Sequence, residues 1–200
     1  MKIHNLFPTP VLHFSIDREF TKKELDFIAK QPKYKNMGNT TSNNSYVLED
    51  KTMKSVKTFI DQCLKQYVET VFAPKEKTNI RVTQSWFNYT KPGEFHHKHN
   101  HPNSLVSGVL YIKALKEKDK IFFYNDNHQQ IRLYTENWNV YNSESWWLEA
   151  ETGVLYLFPS SLTHMVETVQ QDERISLAFN TFPVGLLGNE QRLTGLHIKE

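Results

Sequence analysis

The hydrophobic pattern of the chain changes period once, at Pro74. Before it, Met53, Val56, Ile60, Cys63, Leu64, Tyr67 and Val71 recur at three- and four-residue spacing, the mark of one helix face. The spacing predicts an amphipathic helix over 52–73, ended by Pro74, lying against the outside of a sheet. Thr21-Lys-Lys-Glu24 has the spacing of a capping box and predicts a short helix through Ile28. Val11–Ile16 reads as a first strand after two prolines. Residues 35–45, rich in Asn, Ser, Thr and Gly, read as a loop.

Beyond Pro74 the apolar positions alternate with polar ones. The pattern predicts strands over 80–90, 105–112, 121–124, 131–134, 138–141, 145–148, 154–158, 163–169 and 174–182. Lys91-Pro-Gly93 turns the first of these into a histidine-rich return, and the charged stretch Lys113–Lys120 reads as a solvated turn. Many short strands joined by polar turns imply an antiparallel sandwich or barrel. The fold class is therefore mainly β with N-terminal helices, built as a double-sheet jelly roll. At 200 residues the chain suits a single domain, 1–200. Within it, 1–79 is a helical part packed on the sheet, 80–182 the jelly-roll core and 183–200 a C-terminal extension.

Composition narrows the partners. Lys plus Arg number 24 and Asp plus Glu 22, a balance that gives no strong nucleic-acid or membrane signal. No segment approaches the roughly 20 apolar residues of a membrane-crossing helix. The start of the chain lacks an uninterrupted apolar leader, and the single cysteine, Cys63, forms no internal disulfide and sits on the helix stripe as core. A cytoplasmic protein is expected, and a homodimer is left open. The aromatic share, 13%, suits a β-rich core or a pocket lined with rings.

Candidate chemistry centres on Phe95-His-His-Lys-His-Asn-His101, which holds four of the nine histidines within six residues. On an extended strand His97, His99 and His101 would share a face. Imidazole is a common ligand for borderline metals, and ligands on one short strand lose little entropy on binding. A third ligand must come from elsewhere, and His164, flanked by apolar strand residues, is the natural candidate. Ten residues further on, Arg174-Ile-Ser176 puts a guanidinium and a hydroxyl on one face of an otherwise apolar strand. A buried arginine needs a partner, either an internal one, Glu167 or Asp172, or the carboxylate of a ligand. The spacing from His164 favours the ligand. Trp86, Tyr111 and Phe158 are candidate pocket walls, and Trp146 and Trp147 cannot both face the core of one strand.

Several segments together carry a resemblance. They are Trp86-Phe-Asn-Tyr-Thr-Lys-Pro-Gly, His99-Asn-His101-Pro-Asn-Ser, Ser107-Gly-Val-Leu-Tyr, Gly153-Val-Leu-Tyr-Leu-Phe-Pro-Ser and His164…Arg174-Ile-Ser. These resemble the Fe(II)/2-oxoglutarate-dependent oxygenase superfamily, and within it the putative 2OG-Fe(II) oxygenase branch of marine bacteria and phages. The start, Leu6-Phe-Pro-Thr-Pro10, is similar as well. The resemblance implies a double-stranded β-helix, cupin-like, with a metal in one mouth. It implies His99, His101 and His164 as catalytic iron ligands, Arg174 as the anchor of the 2-oxoglutarate carboxylate, Ser176 as its assistant and Asn88 as a further cosubstrate contact. His96 and His97 are then expected around the site or in solvent.

His101 stands where the superfamily has a carboxylate. Glu94 could supply one only if the chain bends. The implied reaction couples 2-oxoglutarate and O2 to hydroxylation of an unidentified substrate, in a host cytoplasm if the chain is phage-encoded. Two other readings remain: a three-histidine cupin-like metal protein or zinc hydrolase that does not use 2-oxoglutarate, and a jelly-roll module without enzymatic activity.

Overall fold

The computed structural model describes residues 1–75, 78–126, 131 and 133–199. It is built on β4 (Thr78–Thr90) and β11 (Arg174–Leu187), which pair antiparallel along most of their length. Around them a larger sheet forms from β1 (Leu12–Ser15), β2 (Lys33–Lys35), β3 (Thr40–Ser42), β6 (Val106–Lys113) and β9 (Val154–Pro159), in the order β1-β9-β6-β11-β4-β3-β2. A smaller sheet faces it, made of β5 (His96–His99), β7 (Lys120–Tyr124), β8 (Ser145–Glu149) and β10 (His164–Val166), in the order β5-β10-β7-β8. All of the ladders within these two sheets are antiparallel. Two facing antiparallel sheets make the jelly roll that the alternation implied.

The large sheet is buried on both faces, apolar on the outer and partly polar on the inner, and its alternation sorts two sets of side chains. Phe87, Tyr89, Leu110, Leu155, Leu157, Leu177 and Phe179 point outward, where they meet α2 (Lys54–Tyr67). Val56, Ile60, Cys63, Leu64 and Tyr67 of α2 pack in the same buried cluster as these strand residues. The helical stripe therefore covers the outside of the sheet. After α2 a single π-helical turn, Val68–Phe72, leads to a left-handed Ala73 and then Pro74, which ends the element. α1 (Lys22–Ala29) opens on the capping box: the Glu24 N–H donates to the Thr21 hydroxyl at 3.2 Å, and the Thr21 N–H donates to the Glu24 carboxylate at 2.7 Å. Between the sheets lies a second, smaller core of Tyr111, Ile121, Phe123, Tyr156 and Phe158.

Several sequence expectations need correction. Residues 35–45 are not a plain loop, because β3 pairs with β4 through Thr40↔Tyr89 and Thr41↔Asn88. Such short polar strands are held by backbone ladders rather than by an apolar face, so they leave no alternation to read. No strand forms over Trp138–Tyr141, where the chain runs through a turn with Trp138, Val140 and Tyr141 exposed. Of the strand expected over 131–134, Arg132 lies outside the described residues; Ile131, Leu133 and Tyr134 are exposed and outside any strand. At the C-terminus β11 continues beyond Phe182 and pairs with β12 (Leu196–Ile198), so residues 183–187 extend the sheet. No helix among the described residues is long and apolar enough to cross a membrane.

Candidate metal and cosubstrate site

β4, β6 and β11 form the floor of a cavity between the sheets. Alternation sends Trp86, Asn88 and Thr90 of β4 into it, together with Arg174, Ser176 and Ala178 of β11. Register arranges them in rows: Thr90 beside Arg174, then Asn88–Ser176–Tyr111, then Trp86–Ala178–Val109. The smaller sheet supplies the roof, with His96, His99, Ile121, His164 and Val166. Arg174 thus stands at one end of the cavity and Trp86, with His101, at the other.

The structure brings His99, His101 and His164 together. One ring nitrogen from each lies within 4.8 Å of the others, and ring centroids are 4.4–5.1 Å apart. His99 and His164 are direct cross-strand partners, which places their side chains on one face. The Nδ1–H of His99 donates to the His97 carbonyl at 2.7 Å, and that of His164 to the Leu162 carbonyl at 2.9 Å. A carbonyl can only accept, so both rings are fixed in the tautomer that leaves Nε2 with its lone pair. Burial pushes His101 down to about 4 and His164 down to about 3, each aided by the neighbouring His99, and burial lowers His99 as well. Each ring is therefore neutral at pH 7, the form that binds a metal. This donor set fits a divalent ion.

His101 lies just past the end of β5, and its position is fixed from outside the smaller sheet. Its N–H donates to the Ser160 carbonyl at 2.9 Å. Ser160 is itself buried within a hydrogen-bonded group: its Oγ lies 2.7 Å from Ser104 Oγ and 2.8 Å from Ser107 Oγ, and Ser107 reaches Asn180 Oδ1 at 2.8 Å. The serines of the sequence motifs therefore support the loop that carries His101, a role sequence reasoning missed. Their recurrence beside the histidines was the available signal.

The neighbouring histidines depart from simple alternation. His97 does not line the cavity, and its Nδ1 is 3.4 Å from the Met37 carbonyl, yet its ring is 4.8 Å from that of His99, and His96, His97 and His99 bring a second set of ring nitrogens within 4.8 Å of one another. His96 takes the inward place instead, stacked on His99 at 4.6 Å. The cause is an irregularity in the pairing of β5 with β10, where the register shifts between the His164 and Val166 partners. Such a shift puts residues three apart on one face. The carboxylate of Glu94 accepts the Lys91 N–H at 2.9 Å inside the turn and does not join His99, His101 and His164.

At the far end Arg174 is buried, and burial lowers its pKa against the opposing pull of Tyr111 and Asp119. Its ionic partner is neither Glu167 nor Asp172 but Asp119, at 3.4 Å. Asp172 instead pairs with Lys113 at 2.8 Å. Two buried polar atoms of the cavity, Asn88 Oδ1 and Tyr111 Oη, have no hydrogen-bond partner. Orphaned buried polar groups are costly; the Tyr111 O–H is a donor that a ligand carboxylate would satisfy, whereas Asn88 Oδ1 is an acceptor and calls for a donor. With Arg174 and Ser176 alongside, this end fits a carboxylate-bearing molecule.

Trp146 and Trp147 separate as the alternation of β8 requires. Trp146 is register partner of Phe123, which pairs with His164, which pairs with His99, so all four lie on the cavity face of the smaller sheet. Trp147 is on the outer face, with the Lys120 ammonium 3.9 Å from its ring. Because β8 is the edge strand of the smaller sheet, Trp146 remains 41% exposed.

Two facing antiparallel sheets with gathered imidazoles and a buried arginine in one cavity define a double-stranded β-helix of the metal-dependent oxygenase class. Residues 84–180 match the family model described as "Putative 2OG-Fe(II) oxygenase", and this stretch of the chain belongs to that family of Fe(II)- and 2-oxoglutarate-dependent oxygenases. The matched stretch runs from β4 through β11 and includes Asn88, His99, His101, His164, Arg174 and Ser176. No curated protein matches the chain in sequence. Among solved structures, an oxidoreductase of the 2OG-Fe(II) oxygenase family from Burkholderia pseudomallei is similar at a TM-score of 0.60 and 12% identity, over 86% of this chain and 83% of that one. HygX from Streptomyces hygroscopicus, a structure with nickel and 2-oxoglutarate bound, gives 0.61 at 11% identity, over 86% and 82%. A prolyl-4-hydroxylase from Pseudomonas putida gives 0.52 at 15%, over 86% and 92%. At these identities the likeness is one of fold.

Proposed function

We propose that the chain is a hydroxylase-type oxygenase in which His99, His101 and His164 hold Fe(II) and Arg174 holds the distal carboxylate of 2-oxoglutarate. The single observation carrying this reading is that three neutral, convergent imidazoles share one cavity with a buried arginine whose remaining N–H groups make no hydrogen bond to the described residues. The hydroxyls of Ser176 and Tyr111 donate to the cosubstrate, and Asn88 contacts it through its side-chain NH2. When bound, the iron supplies the activation of O2 that the side chains cannot perform.

The chain's residues do the rest. His99 and His164 are held in the ligating tautomer by their carbonyl partners, and the backbone of His101 is held in place by its N–H bond to the Ser160 carbonyl. Three neutral imidazoles leave the charge of a divalent ion uncompensated, and Arg174 is offset by Asp119. The pair of carboxylates of 2-oxoglutarate supplies the missing negative charge, so the site selects a dianion. Phe158, whose ring is 4.8 Å from that of His164, and Phe123 behind it keep water from the metal side. The primary substrate enters beside Trp146. The lone buried Cys63, which needs no oxidising compartment, accords with action in the cytoplasm.

The test is titration of 2-oxoglutarate into the Fe(II) protein under nitrogen, following the metal-to-ligand charge-transfer band. Wild type should develop the band. Arg174→Lys, which keeps the charge but loses the fork, should need more 2-oxoglutarate, and Arg174→Ala more still. Equal affinity in all three would overturn the assignment. Zinc in place of iron, with no band, would instead favour a three-histidine zinc protein.

A further inference from the structure

Arg174 has one ionic partner among the described residues, and the partner is fixed without it. Asp119 Oδ2 accepts the Leu115 N–H at 2.8 Å, the Asp119 N–H donates to the Leu115 carbonyl at 2.9 Å, and the Asp119 carbonyl accepts the Ala150 N–H at 2.8 Å. These bonds hold the carboxylate in a pocket that it lines together with Arg174, next to the histidine cavity, whether or not the guanidinium engages it. The contact itself is loose. Asp119 Oδ1 is 3.4 Å from Arg174 Nη1, and no other hydrogen bond is made by the Arg174 guanidinium among the described residues. A structural arginine in the same molecule looks different: Arg18 grips Glu24 with two nitrogens at 2.8 and 3.0 Å. Asp119 therefore compensates the buried charge while leaving most of the guanidinium fork uncommitted.

We propose that Asp119 is the resident counter-ion of Arg174, neutralising and positioning it before the cosubstrate arrives and moderating how tightly the cosubstrate then binds. This rests on the reading that Arg174 anchors 2-oxoglutarate. An unpaired buried guanidinium is costly, so without Asp119 the ligand carboxylate would become its sole partner and would be held correspondingly harder. Asp119 also places a like charge beside the incoming carboxylate. Its presence thus keeps the free protein stable and lets the dicarboxylate product leave.

Asp119→Asn tests this, because the amide still accepts the Leu115 N–H but turns an NH2 toward the guanidinium. The variant should melt lower than wild type without ligand. It should bind 2-oxoglutarate about tenfold more tightly in the charge-transfer titration, the order expected on removing a like charge several ångströms away. It should also gain more in Tm from saturating 2-oxoglutarate than wild type does. A merely structural role would weaken binding, so unchanged or weaker binding in Asp119→Asn overturns the proposal. The double variant Asp119→Asn/Arg174→Gln should be more stable than Asp119→Asn alone, since both charges are then gone. Should Asp119→Asn fail to fold, recovery of a folded protein in the double variant supports the pairing, and no recovery overturns it. Failure of the underlying reading looks different: Arg174→Gln would then bind 2-oxoglutarate like wild type, whatever the stability comparison reports about the pair.

Discussion

The backbone N–H of His101 donates to the carbonyl of Ser160 at 2.9 Å, tying a residue past the end of β5 to the residue that follows β9 of the opposite sheet. This bond sets the position of His101, which no strand pairing fixes. Ser160→Ala keeps the carbonyl but removes the hydroxyl that links it to Ser104 and Ser107. We expect the loop over 101–105 to loosen, with metal affinity falling on the order of tenfold, as for the supports of other metal ligands. The folded state should lose about 1–3 kcal/mol, since buried partners are left unpaired. Fe(II) titration and denaturant unfolding check the two effects; wild-type metal affinity would show that the serine group does not support His101.

Gly108 is a second fixed point. It is register partner of Phe179 on β11, and a Cβ built on it would sit 2.2 Å from Cζ of that ring. Phe179 is fully buried against the helices and cannot swing away. Gly108→Ala should therefore cost about 1–3 kcal/mol through overpacking. A second change, Phe179→Leu, should return part of that loss, and urea unfolding of the single and double variants measures it. If the second change adds to the loss instead, the clash is not with Phe179.

Much of the fold was legible because it rests on side-chain period. The α2 stripe, the alternation of β4 and β11, and the capping box at Thr21 each record which face is buried. The segments that were misread have no such record. β2 and β3 are polar and paired through backbone, while the apolar residues around Trp138 suggested a strand that no ladder partner supports. The site divides in the same way. The spacing of His164 and Arg174 points to a shared cavity, and the register of β10 and β11 brings both into it. Asp119, the orphaned Tyr111 hydroxyl and the inward turn of His96 are products of tertiary contact and of a register shift, neither of which alternation encodes.

Glu24 links the N-terminal helix to pH. Burial alone would raise its carboxyl pKa, but the hydrogen bonds from Arg18 and from Thr21 outweigh this and hold it below 4.5. A carboxyl lowered in the folded state binds fewer protons there than in the unfolded chain. Its stabilisation is therefore fully present above about pH 4.5 and is lost as pH falls through the folded value. Glu24→Gln should cost about 1–3 kcal/mol at pH 7, with Arg18 left without its charged partner. The gap between wild type and variant should narrow between pH 5 and pH 3. Denaturant unfolding across that range checks it, and a gap independent of pH would mean the carboxylate is not what holds Arg18.

The histidine cluster offers a discriminating series, because His97, His99 and His101 would be equivalent by alternation alone. The register shift in the β5–β10 pairing makes them unequal. His97 points toward the Met37 carbonyl and contributes to His99 through its backbone carbonyl, which any residue supplies. His97→Ala should consequently bind one Fe(II) or Co(II) per chain like wild type. His101→Ala and His164→Ala each remove one of three imidazoles and should abolish stoichiometric binding. His96→Ala removes an imidazole beside His99 that makes no bond to the backbone. It should retain the metal but alter the 2-oxoglutarate titration, since His96 lies in the cavity between the metal ligands and Arg174. Cobalt is a convenient probe, because its visible absorption reports the number and type of ligands. Loss of the metal in His97→Ala with retention in His101→Ala would exchange the two roles and place the register shift elsewhere.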